Sequence, residues 1–317
     1  MPEPLQINVD NVLRQRLPRH YRYIPRFLIN WLSHTICQDQ LNDLLSRHGD
    51  KSATDFADAM LHDLNVVVEV TGEENIPTDT SRLLFVSNHP LGGLDGVAYI
   101  SLLGNRYKGH FRFMVNDLLM AIPPLREVFL PVNKHGRQSR QYARIIEHAM
   151  NSDDAVATFP AGLCSRNTHG RVIEDLGWKK SFVDDARRYG RTIVPMYFDG
   201  HNSRFFYRFA RWRRKLGIKF NIEMMLLPRE MFKARGSRFA IRFGQPIAVD
   251  SLDDSLTPMQ WAAEIRRRVY ALAPEKRQPR QLATLRAESH PNTTKLPPTS
   301  PVTLLKPPLL QMQYIGR

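Results

Sequence analysis

The chain has 317 residues, of which 42% are hydrophobic and 24% charged, so it can build one large domain or two small ones. Wholesale disorder, a disulfide-stapled miniprotein and a collagen-like fibre are excluded. Forty-five Lys plus Arg against 31 Asp plus Glu leave a net charge of +14, which predicts an anionic partner: nucleic acid, an anionic membrane surface or an acidic carrier protein.

The N-terminal stretch MPEPLQINVD lacks the basic and apolar regions of a secretory signal. No stretch approaches the roughly 18 to 20 apolar residues that cross a bilayer. Cys37 and Cys164 allow at most one bridge and no cysteine-based zinc site, which fits a reducing compartment. The expected location is therefore cytoplasmic, peripheral on the inner face of the cell membrane.

Residues 1–64 read as a helical preface, with Ser52 as the N-cap of an amphipathic turn carrying Phe56, Met60 and Leu64. Over residues 65–273 short β-branched runs follow: NVVVEVTG, RLLFVSN, FRFMVN, VFLPVN, AVATFP and TIVPMYF. They alternate with helical segments such as GVAYISLLG, SRQYARIIEHAM and KKSFVDDARRYG. That alternation predicts an α/β domain with its sheet packed between helices, closed by FAIRFGQPIAV and PMQWAAEIRRRVYAL. Residues 274–317 hold eight of the 22 prolines, seven basic residues and two acidic ones, and read as a disordered basic tail.

The stretch Ser87-Asn88-His89-Pro90-Leu91-Gly92-Gly93-Leu94-Asp95-Gly96 lies where the apolar run RLLFV ends and a helix begins. Ligands of α/β sheets bind at such strand ends. The two glycines let the loop fold back so that Asp95 reaches one ring nitrogen of His89, giving a general base with a fixed tautomer. In isolation, a His and an Asp at this spacing more often cap a strand and a helix. A second loop, Phe159-Pro160-Ala161-Gly162-Leu163-Cys164-Ser165-Arg166, follows another buried-type run and can meet the first over one crevice.

The order NHPLGGLDG, EVFLPVNKHGRQSR, FPAGLCSR and IVPMYF resembles the glycerolipid acyltransferase superfamily from about Val66 to Val249. The resemblance implies a central mixed sheet flanked by helices, catalysis by His89 and Asp95, and substrate contacts from Asn88, Gly92, Gly93, Phe159, Pro160, Gly162, Ser165 and Arg166. Glycerol-phosphate members have four residues between the His and the Asp; here Pro90 to Leu94 make five. Their phosphate-holding arginine falls at about Val132 here, and the glutamate of their FPEG block is Ala161. These departures resemble the branch that acylates amino acids, which includes glycine N-acyltransferases and the enzymes that make lyso-ornithine lipid, often called hemolysin-like. The resemblance implies transfer of a fatty acyl group, commonly 3-hydroxyacyl, from acyl carrier protein or coenzyme A to the α-amine of glycine or ornithine, with no cofactor and no metal.

The acceptor's carboxylate then needs a cation, for which Arg166, Lys134, Arg137 and Arg140 are candidates. Cys164 offers a rival covalent acyl-cysteine route, although the thioester is already activated and needs no second carrier. Eleven basic residues face two acidic ones within 201–240. On a helix, Phe205, Phe209, Trp212 and Leu216 form one stripe, bordered by Arg208, Arg211 and Lys215, with Arg204 and Arg214 opposite; Arg213 belongs to the same basic run. Such a helix suits an anionic membrane interface or acyl carrier protein, but could also bury its stripe in the core. A lysophospholipid acceptor and a nucleic-acid-binding role are the competing readings; no nucleic acid is expected, because no recognition motif for it is visible.

Overall fold

A computed structural model describes residues 6–16, 18, 20–78, 82–132, 140–168, 172–218 and 221–274. The expected basic tail beyond Pro274, and Lys134 and Arg137, lie outside the described residues.

Four helices come first: α1 (Val9–Arg16), α2 (Arg26–Thr35), α3 (Gln38–His48) and α4 (Ala53–Asp63). The Ser52 side chain accepts from the Asp55 amide and caps α4. The apolar face of α4 packs Phe56, Ala57 and Met60 into the same core as Phe85, Tyr99 and Leu103, so the helical preface and the sheet share one interior.

The chain then alternates through β1 (Val67–Thr71), β2 (Leu83–Ser87), α5 (Leu94–Tyr107), β3 (Phe111–Asn116), β4 (Phe129–Val132), α6 (Arg140–Asn151) and β5 (Ala155–Thr158). A short ribbon of β6 (Arg166–Asn167) and β7 (Ile173–Glu174) precedes α7 (Ser181–Tyr189), β8 (Thr192–Asp199) and α8 (Arg204–Lys215). α9 (Leu227–Lys233), β9 (Arg238–Phe243) and α10 (Pro258–Ala271) complete the described fold. Thr257 and Gln260 form a capping box at the start of α10, with Pro258 in its first turn.

Seven strands form one mixed sheet in the order β1-β9-β8-β2-β5-β3-β4. β8, β2, β5, β3 and β4 pair in parallel, whereas β9 runs antiparallel to β8 and parallel to β1. Every residue of β2 is buried, as expected of a strand flanked on both edges and covered on both faces. Leu83 and Phe85 point into the layer built with α4 and α5; Leu84 and Val86 point into the layer of α6, α7 and α10. The expected α/β architecture is thus realised, and the C-terminal ends of β2, β5 and β8 stand side by side with their loops at one end of the sheet.

Candidate active site

At the end of β2 the chain leaves the sheet through Asn88. This side chain was expected at the substrate, and the structure corrects that: Asn88 is buried, its Nδ2 donates to the Phe198 carbonyl at 2.9 Å and its Oδ1 accepts from the Phe198 amide at 2.7 Å. Its amide continues the β2–β8 ladder by one side-chain rung and fixes where the loop departs.

Gly92 turns the loop back with φ +78°, and a Cβ there would lie 2.8 Å from Leu227 and 2.9 Å from Cys164. Only glycine meets both demands. The fold-back brings Asp95, fully buried in the first turn of α5, onto the loop that precedes it. Asp95 Oδ2 lies 2.9 Å from His89 Nδ1 and accepts from the amides of Leu91 at 2.9 Å and Gly92 at 3.3 Å. Its Oδ1 accepts from the amides of Gly93 at 3.0 Å and Gly96 at 2.9 Å. Burial alone would push this carboxyl up, but the charge of and hydrogen bond to His89, with the loop amides, hold it below the usual carboxylate range. The Gly92 and Gly93 amides therefore serve the carboxylate.

His89 is held on four sides. Asp95 takes Nδ1, the His89 amide donates to Asp175 Oδ1 at 3.2 Å, and the His89 carbonyl accepts from the Ser165 amide at 2.7 Å. The Phe159 ring lies flat on the imidazole, with centroids 3.8 Å apart and planes 18° apart. The side chain stays 15% exposed, and Nε2 is the nitrogen opposite the Asp95 contact. A neutral imidazole that donates through Nδ1 presents Nε2 as an acceptor, the arrangement a general base requires.

Phe159 packs in turn against Phe113 and Tyr99. After it, the Pro160 carbonyl accepts from the Lys179 amide, and Gly162, at φ +67°, donates to the Phe159 carbonyl and closes the turn. Ser165 Oγ donates to Asp175 Oδ1 at 2.6 Å, so Ser165 and Asp175 together stitch the two loops at His89. Sequence reasoning missed Asp175. It lies 86 residues from His89 and outside the four blocks; Trp178, three residues further on, donates from Nε1 to Asp175 Oδ2 at 3.0 Å.

Arg166 is the second correction. Expected to meet the acceptor's carboxylate, it is 4% exposed, and its Nη2 lies 3.0 Å from Glu223 Oε1, with Nη1 on the Cys164 carbonyl and sulfur. Glu223 is shared with Arg213, whose Nε lies 2.7 Å from Oε2 and Nη2 3.2 Å from Oε1. The Nε contact is close in charge terms but misaligned as a hydrogen bond. One buried carboxylate between two buried arginines ties α8 to the third block. Cys164 is fully buried, and burial pushes its thiol up to about 11 against the opposing Arg166 charge, so it is a poor nucleophile.

The same ion-pair cluster reverses the expected surface role of Arg213, which faces inward with Phe206, Tyr207 and Ala210. Along α8 the other stripe faces out: Phe205 is 50%, Trp212 54% and Leu216 54% exposed, with Phe209 half-buried between them. Arg204, Arg208, Arg211, Arg214 and Lys215 are exposed around it. Ser203 caps this helix, and a cleft of about 390 Å³ opens next to it, walled by Leu91 and Leu94 of the His89 to Asp95 stretch and by Asp199, Asn202, Glu230 and Lys233. Among the described residues, no helix is long and apolar enough to cross a membrane.

A family described as Acyltransferase (Acyltransf_2) matches residues 11–275. The lyso-glycine lipid O-acyltransferase of Bacteroides thetaiotaomicron is 45% identical over 266 residues, covering 84% of this chain and 97% of that protein. The lyso-glycine lipid O-acyltransferase of Phocaeicola vulgatus is 43% identical over 266 residues, covering 84% of this chain and 95% of its own. The crystal structure of the 1-acyl-sn-glycerophosphate acyltransferase PlsC from Thermotoga maritima aligns over 88% of this chain and 98% of its own, at 16% identity and a TM-score of 0.44.

Proposed function

Since the chain belongs to the acyltransferase family, we propose that it transfers a fatty acyl group to the hydroxyl of a lyso-lipoamino acid, as the names of its two relatives state for them. The geometry of His89 carries this reading: an imidazole pinned by Asp95 at Nδ1, flanked by Phe159 and presenting Nε2. An alcohol attacks a thioester only as its proton leaves, and His89 Nε2 takes that proton while the Asp95 carboxylate, kept ionised, supports the imidazolium. Collapse of the tetrahedral adduct then expels the thiolate, which recovers the proton from His89. The Gly92 and Gly93 amides are committed to Asp95, so main-chain amides of the block after Phe159 are the proposed donors to the oxyanion. With Arg166 locked to Glu223, Lys134 and Arg137 are the proposed cations for the acceptor's carboxylate.

The sequence alone suggested an α-amine acceptor. Both chemistries need the same base, and a 3-hydroxyacyl amino acid carries the hydroxyl that O-acyl transfer requires. The relatives' names favour the hydroxyl.

The donor is proposed to be a thioester of acyl carrier protein or coenzyme A, and the outward face of α8 to lie on an anionic bilayer. Two features support that docking. The exposed halves of Phe205, Trp212 and Leu216 gain about 1 kcal/mol each on burial, and each nearby Arg or Lys adds about 1 kcal/mol at an anionic surface.

Purified protein incubated with an acyl thioester and either lyso-glycine lipid or free glycine tests the proposal by product mass. Diacyl product from the lyso lipid alone is expected. Acylated glycine would transfer the assignment to the amine, and acylated lysophosphatidate alone would overturn both.

A further inference from the structure

We propose that Asp175 is a positioning residue for acyl transfer: its carboxylate holds the His89 main chain and Ser165 together, and so sets where the imidazole stands relative to the third block. This rests on the reading of His89 as the general base.

Asp175 is almost wholly buried, and the groups that meet its carboxyl are neutral donors. The His89 amide at 3.2 Å and Ser165 Oγ at 2.6 Å reach Oδ1; Trp178 Nε1 at 3.0 Å reaches Oδ2. An N–H that can only donate therefore faces each oxygen, an arrangement that suits the carboxylate. Burial pushes this carboxyl above the usual range, with the bonds from Ser165, Trp178 and His89 acting against it. Among the described residues no Lys or Arg meets these oxygens, and a buried carboxyl so placed is costly to keep unless its position does something that an apolar residue cannot do.

Its main chain is equally fixed. The Asp175 amide donates to Tyr270 Oη at 2.7 Å, and Arg266 donates to the Asp175 carbonyl at 2.8 Å and to Glu174 at 2.9 Å. Both partners stand on α10, itself packed in the sheet's second core layer. The carboxylate is thus carried by a capped helix rather than by the loops it joins. Asp95 fixes the ring of His89, and Asp175 fixes its backbone.

The test uses a built-in conflict. In Asp175→Asn, one oxygen remains to serve both Trp178 Nε1–H and the His89 amide, and the new NH2 group opposes whichever donor loses. In Asp175→Asn with Trp178→Phe, the oxygen returns to His89 and Ser165. Asp175→Asn is expected to lower kcat on the order of 10- to 100-fold with donor and acceptor KM little changed, in protein whose Tm stays well above the assay temperature. The double variant is expected to recover most of that kcat. A merely structural role predicts the opposite, losses that add. Wild-type kcat in Asp175→Asn, or a double variant worse than the single, would overturn the proposal.

If Asp175→Asn does not fold, Ser165→Ala removes one arm while its amide still holds the His89 carbonyl; kcat must fall there with KM unchanged, and unaltered kcat overturns the linkage. His89→Gln in the same assay separates the two claims. A folded, active His89→Gln sinks the base assignment, whereas an inactive one beside fully active Asp175→Asn sinks only the role of Asp175.

Discussion

Arg166 and Glu223 form a buried ion pair, Nη2 to Oε1 at 3.0 Å, that joins the third sequence block to the turn after α8. Replacing Arg166 with Ala leaves Glu223 with one of its two arginines and opens space beside Phe206, whose ring the guanidinium covers at 5.7 Å. Urea denaturation is expected to report a loss of about 3–5 kcal/mol. A direct contact with the acceptor predicts a different result: unchanged stability and a raised acceptor KM.

Cys164 is adjacent to the site but chemically withdrawn, fully buried with a thiol pushed up to about 11. Cys164→Ala is expected to keep kcat within a few-fold of wild type, and mass spectrometry of acid-quenched turnover to show no acylated enzyme. An acyl adduct lost in Cys164→Ala would restore the covalent route.

The local character of the His89 loop explains why it was legible in sequence. His89 and Asp95 are six residues apart, the glycine at 92 permits the reversal, and the carboxylate completes its own loop. The strands were legible for a similar reason, since β2, β5 and β8 announce themselves as buried apolar runs. Arg166 was misread because its partner is 57 residues away, in a segment whose charge is overwhelmingly basic. Asp175 was invisible because two of the elements it ties together, the His89 loop and α10, lie 86 and 95 residues away, and its nearer contacts with Ser165 and Trp178 follow no recognisable spacing. On α8 the cations bordering the stripe favoured an outward face, which its exposure matches; what the periodicity hid is the second apolar set, Phe206, Tyr207 and Ala210, which sits one residue out of phase and takes the core.

That directional difference is measurable. Replacing Phe205, Trp212 and Leu216 together with Ala should change stability by no more than about 1 kcal/mol, whereas Phe206→Ala alone should cost about 3–5 kcal/mol. The triple variant, and separately Arg208→Glu with Arg211→Glu and Arg214→Glu, should lose cosedimentation with anionic vesicles. Wild-type binding should weaken as salt rises. Undiminished binding in both variants would remove α8 from the membrane.

Asp95 predicts an acid limb in stability. Its folded carboxyl ionises below the unfolded value, near 3.8, so its contribution is complete above that value and is lost as pH falls through the folded one. Asp95→Asn should flatten the acid limb below about pH 4 in Tm against pH. It should also lower kcat about a thousandfold by freeing the imidazole tautomer.

His89 itself provides the most direct test of the acyl-transfer assignment. Wild type and His89→Ala, matched for Tm and circular dichroism, are given the same acyl thioester and lyso-glycine lipid, and diacyl product is followed by mass spectrometry. The general-base account predicts a rate in His89→Ala at least about a thousandfold below wild type. A folded His89→Ala that keeps more than about a tenth of the wild-type rate would contradict it.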